Sequence, residues 1–484
     1  MKKYSVLRLL ISAAISLYSY AIQAQICTGS LGDPVVNITF GQGAAGPSSY
    51  VPTSSYTYTS STCPNDGYYT ITSYTAACFD DHWFTVTNDH TGNGNFMLVN
   101  ASYQPGDFFV TTVSDLCPNT TYEFSSWIMN VLNTFGIQPD IVFTIEKPDG
   151  TILGSYDTGN IPGTSSPVWV KYGILFTTPP DNANIVLRMR NNSPGGNGND
   201  LALDDIAFRP CGAQITASIE NNPDTVNICS GNTTKYNLFG SASSVYQKPV
   251  YQWQSSSDKG ITWQDIPGAI GKSYPRPPVI QPGNYLYRFA VSDSIVASIT
   301  TCRVASNVLS IYVHPLPSVD AGPDRIYVRG YPDTINAVAS ANGETLSYFW
   351  TPPVYMEDPT ALKAVVTPGA DIFYTLMAQS VFGCSNDDGV NVKVVDAIFI
   401  PNAFTPNGDG LNDTWSIPYL DVGLDADVRI FNRWGQLVYH SSSGKVAWDG
   451  TLNSVPQPAG VYIYDVIFRN GKMPKMKGTL VLIR

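Results

Sequence analysis

Charged side chains are scarce in this 484-residue chain: Asp, Glu, Lys and Arg make up 13% of it, against about 25% in an average soluble protein. Histidine is scarcer still, with four copies, at 82, 90, 314 and 440. No HExxH helix, GxSxG elbow or phosphate-cradling loop is present, so the usual signatures of zinc peptidases, α/β-hydrolases and nucleotide-binding proteins are missing. Long runs of Ala, Leu, Glu and Lys are also missing, which argues against a helical architecture. There is no basic stripe, so neither nucleic acid nor an anionic membrane surface is an expected partner. After the first two dozen residues no apolar stretch is long enough to span a bilayer, so no transmembrane segment is expected.

What fills the space is 29 Tyr, 40 Gly and 35 Pro, with abundant Ser, Thr and Asn. Tyr and Thr suit a half-buried pleated surface, and Gly, Pro and Asn suit the turns between strands. The expected class is therefore all-β, built as tandem β-sandwich modules, and the length allows several separate cores. At the start, Lys2, Lys3 and Arg8 precede an apolar run from Leu9 to Ala21, and Ile22-Gln23-Ala24 offers a small residue for cleavage after Ala24. Residues 1–24 read as a secretory signal peptide, and their removal takes the formal charge from −11 to −14. Ala24-Gln25-Ile26 is a poor match to the small residues that precede a lipidated cysteine, so Cys27 is not expected to carry an anchor. Export permits disulfides among the eight cysteines, at 27, 63, 78, 117, 211, 229, 302 and 384. Five of them fall before residue 212; because five is odd, one early thiol is free or paired further along, with Cys384 one candidate. Cys63–Cys78 is the simplest local bridge.

Punctuation divides the mature chain into four blocks, 25–212, 213–315, 316–396 and 397–484, with His314-Pro315-Leu316-Pro317 as a Pro-rich joint. In the first, strand-like runs such as Ile141-Val142-Phe143-Thr144-Ile145 alternate with Gly/Asn-rich loops, a jelly-roll pattern. The middle blocks read as loose repeats of each other. Tyr251-Gln252-Trp253 answers Tyr348-Phe349-Trp350, and Cys302 answers Cys384, each followed by an alternating strand. With Cys229, Trp253 and Cys302 the second block resembles an immunoglobulin-like module, and that resemblance implies a Cys229–Cys302 inter-sheet bridge. Trp253 lies further from the first cysteine than is usual there. The third block resembles the related PKD-type sandwich and holds one cysteine, hence no internal bridge.

The last block carries Phe404-Thr405-Pro406-Asn407-Gly408-Asp409-Gly410-Leu411-Asn412-Asp413, then Val428-Arg429-Ile430-Phe431-Asn432-Arg433-Trp434-Gly435, Trp448-Asp449-Gly450, Gly460-Val461-Tyr462-Ile463-Tyr464 and Gly478-Thr479-Leu480-Val481. It resembles the gliding-motility-associated C-terminal domain, the type B sorting domain of the type IX secretion system. The resemblance implies a β-sandwich, export across an outer membrane, the secretion and surface-attachment machinery as partner, and a location on the outer face of the cell or outside it. In the residues themselves, the alternating strands at Val428 and Val461 and the turn at Gly435 fit a sandwich, and the strand-like stretch 478–484 offers a receptor an edge.

Two candidate cation sites stand out. Asn407, Asp409 and Asp413 place side-chain oxygens at near-alternate positions with glycines between, as a calcium loop does. The competing reading, an Asx-rich turn that satisfies its own backbone, stands ahead of it because a full ligand set is not visible. Leu201-Ala202-Leu203-Asp204-Asp205-Ile206 at the end of the first block is similar to the last strand of galactose-binding-like carbohydrate-binding modules. That resemblance implies a structural calcium near Asp205 and residues 37–41; the alternative is an ordinary exposed acid pair. Trp83, Trp127, Trp169 and Tyr122 are candidates for a sugar-stacking face. For Tyr122 and Trp127, which alternate with apolar residues, core packing is the stronger alternative. Cys78-Phe79-Asp80-Asp81-His82 brings a thiol, acids and a histidine together, but a bridged cysteine has no thiolate to offer, and no catalytic residues are assigned. The functional expectation is an exported surface or adhesion protein, not an enzyme, whose first module binds glycan or another surface ligand. Structural display toward protein partners is the alternative, and a secreted hydrolase ranks third.

Overall fold

In a computed structural model the chain is 50% strand and 2% helix, so the all-β class holds. The structure describes residues 26–42, 55–92, 94–181, 184–243, 246, 248–420, 426–442, 445–469 and 473–484; the leader read at 1–24 lies outside them. Among the described residues no helix is long and apolar enough to cross a membrane. Two compact units emerge, one running through Thr225 and then Lys235–Arg276 and Tyr285–Ser310, the other comprising Val226–Thr234, Pro277–Asn284 and Ile311–Arg484. The block expected at 213–315 is thus divided between them.

The first unit begins with a two-sheet sandwich. Its strands are β1 (Val36–Ile38), β2 (Thr57–Tyr58), β3 (Tyr68–Thr72), β4 (Phe96–Asn100), β5 (Gly106–Val113), β6 (Thr121–Asn130), β7 (Asp140–Glu146), β8 (Ile152–Asn160), β9 (Val170–Thr177), β10 (Ile185–Asn191) and β11 (Leu201–Pro210). One sheet runs β2-β3-β4-β11-β6-β9 with β1 added beside β11; the other runs β5-β10-β7-β8. β7 and β10 alternate as the sequence does, sending Ile141, Phe143, Ile145, Leu187 and Met189 inward. They meet Phe124, Ile128, Leu201, Leu203 and Phe208 from the facing sheet in one core. β6 and β11 break the alternation: nearly every residue is buried. A second apolar layer covers their outer side, where Trp83, Phe96, Leu98, Met129, Leu132 and Ala202 pack together beside Cys78.

The remainder of this unit holds a three-stranded sheet (Ile215–Ile219, Tyr236–Ala242, Ser273–Arg276) and the antiparallel pair Pro249–Ser256 and Gly283–Asp293. Trp253 is fully buried there against Phe289, their rings 5.0 Å apart. In the second unit, Trp350 and Tyr374 centre a small core under the sheet made by Arg325–Val328, Leu346–Thr351, Ile372–Ser380 and Ser385–Val395.

The cysteine pairing departs from expectation. Cys63 is bonded to Cys78, but Cys229 joins Cys384 and Cys302 joins Cys117, while Cys27 joins Cys211. The Cys229–Cys302 bridge implied by the immunoglobulin resemblance is therefore replaced. Cys302 packs into the first sandwich's core beside Val296, where it meets Cys117. Cys384 stands two residues beyond Phe382, whose ring stacks on His314 at 3.7 Å in the same unit as Cys229.

Candidate functional site

The outer layer of the first sandwich decides the fate of the aromatic candidates. Cys63–Cys78 pins the stretch after β3 back over the sheet, and Trp83 goes under it, 1% exposed. The indole N–H of Trp83 donates to Asp200 Oδ2 at 3.0 Å. Trp83, a candidate for the sugar-stacking face, is therefore an internal brace, because an indole with a buried acceptor gains more from packing than from solvent. Asp200 also accepts from the Ala101 N–H at 2.9 Å, and burial pushes its carboxyl up to about 7. Tyr122 is fully buried; its hydroxyl accepts from the Cys117 N–H at 2.9 Å and its ring stacks on Phe176, so its role is core packing.

Trp127 and Trp169 are half-buried and converge on His90. The imidazole stacks on Trp127 with centroids 3.7 Å apart and meets Trp169 edge-on at 6.5 Å. His90 Nδ1 lies 2.6 Å from Asp205 Oδ2. Asp205 sits at φ 48°, where the register of β11 slips between Asp204 and Ala207, and the bulge turns its carboxylate toward His90 while Asp204 turns in. Asp204 is fully buried; its oxygens accept from the N–H groups of His90 (3.0 Å) and Asp205 (2.8 Å). Burial, then the charge of Asp205, raises its pKa to about 8. Close by, the Asp89 carboxylate and the Gly41 carbonyl lie 2.7 and 2.9 Å from where a Cβ on Gly94 would stand. The next residue, Asn95, donates its backbone N–H to Gly41 and its amide to the Phe40 carbonyl, leaving its buried Oδ1 without a partner.

A separate cavity of about 580 Å³ opens where the loops after β6 and β8 approach each other. It is lined by Leu132, Asn133, Thr134, Phe135, Gln138 and Ser165 among others, and none of its lining residues is charged. Asn130 ties the two loops together: its amide donates to the Ile161 carbonyl at 2.9 Å and its Oδ1 accepts from the Leu132 N–H at 3.0 Å. Ile137, between the lining residues Gly136 and Gln138, is equally fixed, because it exchanges backbone bonds with Asn197 and Asn199 at 2.9 and 2.6 Å. A side chain at Gly136 would collide with Leu132 and Asn197. The side chain of Phe135 is fully exposed at the rim. Sequence reasoning missed this cavity. The one available signal was Phe135, an aromatic set between Asn133-Thr134 and Gly136 in a turn-like stretch.

The last module is organised around one five-stranded sheet, in the order Ala403–Phe404, Met476–Leu482, Gly460–Phe468, Ala426–Phe431, Leu437–Ser441. Trp415 and Trp448 pair across a backbone bridge and fill its core with Phe404, Val428, Ile430 and Leu480. Gly435 takes φ 77° in the turn after Trp434, as the hairpin requires. Tyr462, Val466 and Phe468 face inward, whereas Val461 and Ile463 lie on the exposed side. In the loop at 407–413, Asp413 accepts from the N–H groups of Asn407, Gly408 and Gly410 at 2.7–3.0 Å. Asp409 accepts from the Leu411 N–H and the Asn407 amide, and these bonds hold its carboxyl below the usual range. Those oxygens already meet backbone donors, which is the geometry of a self-satisfied Asx turn. Among the described residues no three His, Cys, Asp or Glu side chains converge to hold a metal.

Comparison with known proteins places two segments. Residues 398–482 match the CHU_C Type IX secretion signal domain, and residues 218–315 match a domain of unknown function, DUF8696. No curated protein matches the chain. Among solved structures, a Stig cyclase from Fischerella sp. TAU is 13% identical over 36% of this chain and 83% of its own, with a TM-score of 0.24. The titin I-band fragment I67–I69 is 10% identical over 56% and 98%, with a TM-score of 0.25. The fibronectin(III)-like modules of Clostridium thermocellum CbhA are 15% identical over 38% and 95%, with a TM-score of 0.20. Scores of that size carry no argument here, and the sandwich assignment rests on the strand pairing. The signal-domain match makes the chain a substrate of type IX export, carried to the cell surface or beyond it.

Proposed function

We propose that this exported chain is a binding protein, not an enzyme, whose first sandwich contacts glycan outside the cell while the following modules space it from the signal domain. The observation that carries the reading is the pairing of an export signal at 398–482 with a preformed, uncharged cavity at the far end of the sequence. Preformed pockets with a few fixed polar groups are characteristic of ligand sites. The one cysteine with an acid and a histidine nearby, Cys78, is spent in a disulfide, which removes the nucleophile that motif offered. The test is a glycan array probed with the whole mature chain. Saturable binding to at least one oligosaccharide class is expected; an array blank at micromolar protein would leave display toward protein partners as the surviving reading.

Calcium belongs to the same proposal, at a refined position. Asp89 Oδ2, the Gly41 carbonyl and the orphaned Asn95 Oδ1 lie around Gly94 and Asn95, with the Asp204 carboxyl close enough to Asp89 for their charges to interact, and all are hard oxygen donors of the kind calcium takes. Asp205, the residue named from sequence, is instead held by His90. The 407–413 loop is not included, since it has no buried oxygen left without a partner as Asn95 Oδ1 is. Bound calcium would tie Gly41 to Asp89 and Asn95. Melting in calcium at about 100 times Kd should exceed melting in EGTA by roughly 3 kcal/mol of stability, and Asp204→Asn should erase the difference. Identical melting in both buffers would rule the cation out.

A further inference from the structure

We infer that the cavity between the loops after β6 and β8 is a site for a neutral sugar, with Phe135 as its stacking platform; this rests on the glycan-binding reading above. Three features of the cavity select that ligand class. Its volume, about 580 Å³, lies in the small-molecule range and its loops are already tied by Asn130, so little ordering remains to be done on binding. Its walls hold no Lys or Arg, so a uronate, sulfate or sialate would lose hydration without gaining a counter-ion, inside a chain that is itself acidic. The side-chain amides of Asn133 and Gln138 make no hydrogen bond among the described residues, which leaves donor and acceptor atoms for vicinal hydroxyls.

Phe135 completes the set. A phenylalanine wholly in water forgoes roughly 1.5–3 kcal/mol of burial, and here it stands at the mouth of the cavity with nothing packed on its face. The C–H face of a pyranose ring would cover it. The His90–Trp127–Trp169 group is the competing platform, but His90 covers one face of Trp127 and meets Trp169 edge-on, which leaves less free face.

Binding of neutral cello-, xylo- and mannohexaose and of acidic hexagalacturonate to the whole mature chain tests this. A neutral oligosaccharide should bind, hexagalacturonate should not, and Phe135→Ala should weaken the neutral ligand about tenfold or more. Because Phe135 makes no core contact, its melting temperature should be unchanged, which separates lost binding from lost fold. Gln138→Ala should weaken binding with the ring intact. Neutral binding that survives Phe135→Ala but fails with Trp127→Ala would move the site and overturn this inference while sparing the glycan reading. Preference for hexagalacturonate would overturn it outright. Failure of every oligosaccharide with the unaltered chain would remove the glycan reading and this site together.

Discussion

A chain lacking residues 399–484 should accumulate in the periplasm of its native host, with the surface and medium fractions falling to background. The reason is that the address is a folded object. Its exposed features, the Val461/Ile463 side of the sheet and the largely exposed Trp434, exist only because Trp415, Trp448, Phe404 and Leu480 close a core beneath them. Truncation also uncovers Val328, Tyr331 and Val395, which pack against that core from the preceding module, so retention by misfolding must be separated from retention by lost sorting. Residues 398–484 fused to a periplasmic reporter make the distinction: the reporter should move outside the cell. A truncated chain that still reaches the surface would refute the sorting role. So would a reporter that stays behind while its fused domain resists proteolysis.

How much of this was legible in the residues depends on how local each determinant is. The all-β class and the last module were readable because period-two alternation and glycine-centred turns are local signals, each confined to a few neighbours. Val461 and Ile463 look core-like in sequence yet face out, since alternation gives two faces without saying which one is covered. Trp83 shows the limit more sharply. Its flanking acids and histidine read as a solvent-exposed turn, and only the return of that stretch over β6 and β11, fixed by Cys63–Cys78 and the Asp200 acceptor, puts it inside. The runs Trp127-Ile128-Met129 in β6 and Leu201-Ala202-Leu203 in β11 were the available clue, because strands covered on both faces lose their alternation. The cavity was invisible because it is made by two loops some thirty residues apart, joined by the amide of Asn130; ordinary loop residues acquire a role through that juxtaposition alone.

Cysteine pairing was the least legible of all, and it leads to the second large effect. Replacing Cys117 and Cys302 together with serine should destabilise the first unit by about 5 kcal/mol on the chain-entropy account, since that bridge closes 185 residues. For a body of this size the loss corresponds to a melting point lower by about 10 °C. The same double replacement at Cys63 and Cys78, closing 15 residues, should cost about 3 kcal/mol on the same account. The order of the two effects, not their size alone, is therefore the test, and a larger loss from the short loop would reverse it. Peptide mapping without reduction should recover Cys117 joined to Cys302 and Cys229 joined to Cys384; a Cys229–Cys302 peptide would restore the immunoglobulin pairing and undo this one. The long bridges also dictate how the binding module must be studied. A fragment ending near residue 212 would leave Cys117 without its partner and remove Val296 and Cys302 from the core they help fill. Loss of glycan binding in such a fragment would then report a broken scaffold, whereas the same loss in the intact chain on changing Phe135 would report the site.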